Sequence, residues 1–191
     1  MSDRQARERI VAGYDTMIEE YIIDGYQPCF LNFMFNHIPA SAAQRRNIMV
    51  LEVTRVHDIL CRHTVRKPNS EEWSFLRPIF IGCHDLPVWK HEKTAIRDAS
   101  INGGLHFNAI ALTRPPARPD MHKKVQEILW GKQSRLTVPL DEHFRIKAKF
   151  YHNDALSRIH ATPITGGTMA DYALKTFKHG RVGPDSIHIW K

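Results

Sequence analysis

Between residues 3 and 24 apolar side chains (Ile10, Val11, Tyr14, Met17, Ile18, Tyr21) recur every three to four positions among charged ones. That period predicts an amphipathic helix lying against the domain or serving self-association. From Gln27 to Ile38 the pattern changes to an aromatic, β-rich run with Phe30, Phe33, Met34 and Phe35, closed by Pro39, which predicts the first strand. Ser41-Ala42-Ala43-Gln44 has the form of a capping box, and Ile48, Leu51, Val56, Ile59 and Leu60 then share one helical face as far as about His63. This is the first crossover helix.

After the polar loop from Arg66 to Ser74, Arg77 to Leu86 reads as a strand in which Ile79, Ile81 and Cys83 alternate with Phe80, Gly82 and His84. A long loop leads to the turn signal Asn102-Gly103. Gly104 to Arg114 is the next strand, with Leu105, Phe107 and Ala109 on one face and His106, Asn108 and Ile110 on the other. A Pro-rich turn (115 to 119) precedes a helix expected over Met121 to Trp130. Phe144 to His152 alternates Phe144, Ile146, Ala148 and Phe150 against charges, which predicts a strand. A further β-like run, Ser157 to Ile164, leads to Thr168, placed to cap a helix that carries Tyr172.

The order strand, helix, strand, strand, helix, strand, followed by an extra strand and helix, predicts an α+β fold of the ferredoxin-like, split βαβ kind. The sheet is expected to be antiparallel, with helices on one face and the active site on the open face. The first strand and the strand bearing His106 should lie in its middle, so that His106 and Asn108 project at the centre.

Composition adds class and partner. With 191 residues, 42% hydrophobic and 25% charged, the chain is expected to form one domain over 1–191, an N-terminal helix (1–25) and a core (27–180). No apolar run reaches the length of a bilayer span, and the first ten residues lack a signal-like apolar segment, so a cytoplasmic protein without membrane contact is expected. Cys29, Cys61 and Cys83 are odd in number and lack CxxC spacing, which suits reduced core residues. A formal net charge of +7 biases the surface toward polyanions, nucleic acid foremost.

Two local patterns then point to chemistry. His106 and Asn108, two apart on a strand, can offer an imidazole nitrogen and an amide oxygen to one ion. A third ligand is expected from the neighbouring strand: His84 first, Asp85 as the alternative if a bulge or the strand end shifts the register. Two imidazoles and an amide favour Mn²⁺ over Mg²⁺, with the identity left open between them. On the last helix Tyr172, Lys175 and His179 fall on one stripe, so that a lysine lies one turn from a tyrosine and eases phenolate formation or holds a phosphate. A tyrosine nucleophile beside a metal-bound phosphate would yield a phosphotyrosyl linkage. Lys147 and Lys149, flanking a strand face, and His179 are candidates to track a nucleic-acid backbone.

These motifs, in this order, resemble a single-tyrosine replication initiator (Rep) of the HUH endonuclease superfamily. Cys29 to Asn36 is similar to the family's first apolar strand motif. His106-Phe107-Asn108 is similar to its His-hydrophobic-His metal motif, with asparagine in the second position. Tyr172-Ala173-Leu174-Lys175 resembles its Tyr-x-x-Lys motif, and Arg158 to Ile164 the strand leading into the tyrosine helix. Where family members often carry a glutamate ligand on the preceding strand, this chain has His84-Asp85. The resemblance implies a divalent-metal nickase acting on single-stranded DNA or a hairpin origin, in rolling-circle replication or mobile-element transfer. No Gly-x-x-x-x-Gly-Lys-Ser/Thr phosphate loop is present, so any helicase is expected to be a separate protein. The competing reading is a nucleic-acid-binding domain on the same fold, a degenerate initiator or an RNA-binding module, without cleavage chemistry.

Overall fold

Alternating burial along each strand assigns its two faces, and from these the layers follow. The computed structural model describes residues 2–86, 101–117, 133–166 and 169–191. Strand β1 (Gln27–Phe35) sends Cys29, Leu31, Phe33 and Phe35 into one core and turns Phe30, Asn32 and Met34 the other way. Strands β2 (Ile79–Asp85) and β3 (His106–Thr113) are buried on both faces, and β4 (Leu156–Pro163) and β5 (Ile187–Trp190) complete the sheet. The order is β4-β1-β3-β2-β5 with every described pair antiparallel. The chain is therefore α+β, with a ferredoxin-like arrangement of β1 to β4 and with β1 and β3 inside the sheet, as the element order implied.

One face is closed by helix α2 (Ala42–Thr64), whose Met49, Val53, Val56 and Leu60 meet Leu31, Phe33, Phe80 and Phe107 in a single apolar cluster. Its capping box is formed: Gln44 N–H donates to Ser41 Oγ, and Ser41 N–H to Gln44 Oε1. The stretch read as a strand from Phe144 is helical instead, as α3 (Leu140–Ile146) and α4 (Ala148–Tyr151). Leu140, His143, Phe144 and Tyr151 are buried at helical spacing, while Ile146 and Phe150 stand in solvent, so the alternation that predicted a strand was not the packing pattern. The fourth strand is the later run, β4. The helix expected over Met121 to Trp130 and the cap at Thr168 lie outside the described residues.

The second face departs from the expectation of helices on one side only. Helix α1 (Asp3–Ile23), with α5 (Met169–Ala173) and α6 (Lys175–Lys178), packs Val11, Ile18, Ala173, Leu174 and Phe177 on Ile79, Ile81, Ile110 and Leu112. They cover the β2–β3 half, whereas Arg158, His160 and Thr162 of β4 lie exposed beside Met34, Asn32 and Phe30 of β1. Half of this face is open. Helix α1 also grips both ends of the tyrosine-bearing segment: Asp15 Oδ1 accepts from Ala170 N–H at 2.8 Å, and Arg7 Nε donates to the Lys178 carbonyl at 3.3 Å. Among the described residues no helix is long and apolar enough to cross a membrane.

Candidate active site

Strand register brings the polar groups together. Antiparallel partners share a face, and here Asp85 pairs with His106, Cys83 with Asn108, and Asn32 with Asn108. The last residue of β2 and the first residues of β3 therefore present Asp85, His106 and Asn108 side by side, with Asn32 across on β1. The turn before β3 is pinned by Asn102, which adopts φ 54°, accepts from Ile38 N–H at 2.8 Å and donates to the Asn36 carbonyl at 2.8 Å.

Asp85 is the hub. Its side chain is only 1% exposed, yet Oδ2 lies 2.9 Å from Asn108 Nδ2, 3.0 Å from His106 Nε2 and 2.5 Å from Lys175 Nζ. Oδ1 accepts from Thr176 Oγ1 at 2.7 Å, and Thr176 Oγ1 in turn accepts from Leu86 N–H at 3.3 Å. Burial alone would raise the carboxyl's pKa, but the bonds from His106, Lys175 and Thr176 outweigh it and push it down to about 2. Asp85 is thus a fixed anion. Asn32 Nδ2 donates to Asn108 Oδ1 at 2.9 Å, which turns the Asn108 amide hydrogens toward the carboxylate, and His106 Nδ1 faces the Gly104 carbonyl at 3.1 Å.

The tyrosine completes the cluster from the helix side. The Lys175 ammonium that meets Asp85 also lies 5.0 Å from the centre of the Tyr172 ring. That ring packs edge-on against Phe30 with centroids 4.8 Å apart, while the residue stays 57% exposed. Tyr172 is therefore held against β1 and still open to solvent.

No family model, curated protein or solved structure matches this chain.

The geometry sorts the sequence candidates. His106, Asn108, Asp85, Lys175 and Tyr172 meet in one place. His84, first choice as third ligand, does not: it points to the α2 face, its Nε2 bonded to the Arg46 carbonyl at 3.0 Å and its ring against Phe107. Burial pushes its pKa down to about 4. Lys147 and Lys149 were expected on a strand but lie at the α3–α4 junction beside the exposed Phe150, on the α2 side of the sheet and away from the cluster. His179 is exposed at the C-cap of α6. Thr176 and Asn32, which sequence reasoning passed over, are part of the network. Asn32 is the one polar residue in the apolar run from Cys29 to Phe35, and that was the available signal; Thr176, between Lys175 and Phe177, gave none.

The cluster suits a small divalent ion in donor type. A carboxylate oxygen and an imidazole nitrogen face each other at 3.0 Å, a hard-to-borderline pair of the kind that Mg²⁺ and Mn²⁺ take. Among the described residues no three His, Cys, Asp or Glu side chains group for a metal, and the Asn108 oxygen, expected as a ligand, is taken up by Asn32, so an ion held by Asp85 and His106 would complete its shell with water. The three cysteines are free and buried, and burial pushes the Cys83 thiol, bonded to the Ala173 carbonyl, up to about 12. They carry no nucleophile at neutral pH.

Proposed function

We propose that this chain nicks and rejoins single-stranded DNA through a covalent 5′-phosphotyrosine, with Tyr172 as nucleophile, acting in the cytoplasm. The observation that supports the reading is a single lysine, Lys175, whose ammonium stands 2.5 Å from Asp85 in the His106–Asn108 cluster and 5.0 Å from the Tyr172 ring. An exposed phenol, a cation beside it and a fixed anion–imidazole pair are the parts a phosphodiester transfer needs.

In that transfer the Tyr172 oxygen bonds to the scissile phosphorus as the bond from phosphorus to the 3′ oxygen breaks. The phenolic proton passes to solvent and the departing 3′ oxygen takes one up, leaving a 3′ hydroxyl and a 5′ phosphate esterified to the enzyme. Attack by a 3′ hydroxyl reverses the step and rejoins the strand. Lys175, beside the Tyr172 ring, would face the phosphate oxygens. Phe30 fixes the Tyr172 ring, and Asp85, held by Thr176 and Asn108, keeps His106 in place. A divalent ion, Mn²⁺ or Mg²⁺, which Asp85 and His106 would hold with Asn108 adjoining, supplies positive charge to the non-bridging oxygens.

The strand would approach over the open half of the face. Arg158 and His160 can meet phosphates there, and Phe30 and Tyr172 offer faces and edges for unpaired bases. This fits a single-stranded segment or a hairpin origin in rolling-circle replication or mobile-element transfer.

Mixing the protein with single-stranded oligonucleotides and Mn²⁺ should give a protein–DNA adduct that survives a denaturing gel, and Tyr172→Phe should give none while still binding DNA. A wild-type protein that binds these oligonucleotides without forming the adduct overturns the proposal. That outcome belongs to the second reading, a nucleic-acid-binding domain without cleavage. The Asn108 amide oxygen, occupied by Asn32, favours that reading.

A further inference from the structure

Asp85 Oδ2 is the one carboxylate oxygen in the cluster that faces His106, and the Lys175 ammonium already stands against it at 2.5 Å. An ion held between Asp85 and His106 would need that same oxygen. Two cations cannot share it at contact distance in a place where Asp85 is 1% exposed and water screens little. Lys175, by contrast, is 29% exposed and carries four flexible methylenes, so its ammonium can leave while the carboxylate stays. The Tyr172 ring lies 5.0 Å from the ammonium.

We propose that Lys175 is a built-in competitor of the divalent ion: it closes the ligand pair when no ion is bound, and the ion must displace it from Asp85. The inference rests on the metal-dependent nicking reading and extends it to how that site is loaded. Displacement frees the ammonium beside Tyr172, so ion binding and the readying of the nucleophile become one event. In the closed form Thr176 and Asn108 keep Asp85 oriented, which explains why a buried anion can wait there without an ion.

The test is calorimetric titration with MnCl₂ alone, without DNA. Because the closed form withholds the ligand pair, Lys175→Met should bind Mn²⁺ about tenfold or more tightly than wild type. Lys175→Arg, which keeps a cation, should bind as weakly as wild type, and Asp85→Asn should lose binding. Mn²⁺ should also raise the melting temperature of Lys175→Met more than that of wild type. Should Lys175→Met fail to fold, Lys175→Gln, neutral but able to donate to Asp85, takes its place. Equal or weaker Mn²⁺ binding by the neutral variant, or no binding by either protein, overturns the inference. The DNA adduct is read separately: an absent adduct with the affinity gain intact removes the nicking reading alone, and a present adduct with no gain removes only the role given to Lys175.

Discussion

At Asp85 four side-chain donors converge on a carboxylate almost wholly out of water, and the charge survives because each oxygen is satisfied. Thr176 is the least conspicuous of the four and the easiest to remove cleanly. Thr176→Val keeps the shape, deletes the 2.7 Å bond to Oδ1 and leaves Leu86 N–H without its acceptor. Hydrogen bonds to charged groups contribute about 1.5–3 kcal/mol, so urea unfolding should show a loss of that order with an unchanged slope. A variant as stable as wild type would contradict the part assigned to Thr176. The sequence made His106, Asn108, Tyr172 and Lys175 visible through spacing alone. It ranked His84 ahead of Asp85, the wrong way round, because adjacent strand residues face opposite ways and the choice depends on how β2 registers against β3. Asn32 was hidden for the same reason until its partner on β3 was known.

Elements with strong caps and unbroken periodicity were legible: α2 begins at the Ser41 box, and β1, β2 and β3 fall within the runs that announced them. The segment from Leu140 to Tyr151 was misread because its alternating Phe144, Ile146, Ala148 and Phe150 imitate a strand. Burial instead follows Leu140, His143, Phe144 and Tyr151. Strand β5 is four residues long and joins only the edge of β2, too brief to stand out against its surroundings. One glycine has a clear element-scale role. A Cβ on Gly82 would come 2.2 Å from the Asn108 carbonyl and 2.7 Å from the Ala109 Cβ, so β2 and β3 can lie this close only without it. Gly82→Ala should force the pairing apart, cost about 1–3 kcal/mol and reduce adduct formation, since the same register sets Asp85 against His106. Unchanged stability and unchanged adduct yield would contradict this placement.

Across the whole molecule, the two faces of the sheet are covered differently, one wholly by α2 and its neighbours and the other only over β2 and β3. On the α2 side, burial pushes His84 and His143 from an ordinary value of 6.5 down to about 4. Below pH 6.5 the unfolded chain takes up protons that the folded chain refuses, so stability is full above that pH and falls until about pH 4, by roughly 2–3 kcal/mol for each histidine. Asp85 acts in a lower window, its contribution lost between 3.8 and about 2. Urea melts between pH 7.5 and 4 should trace the histidine decline, and a flat profile there would contradict the burial of these rings. On the other side, the open β1–β4 half is the expected DNA path. Arg158→Glu should weaken single-strand binding about tenfold and flatten its salt dependence by one to two phosphate contacts. Lys147→Glu with Lys149→Glu should do little, and the reverse result would move the path to the α2 side. The account as a whole depends on helix α1 and the sheet together presenting Tyr172 to a phosphate held near Asp85 and His106. Peptide mass spectrometry of the trimmed adduct tests that directly: the account predicts a 5′-phosphonucleotide on the peptide containing Met169 to Lys175, attached at Tyr172, and attachment at any other residue would contradict it.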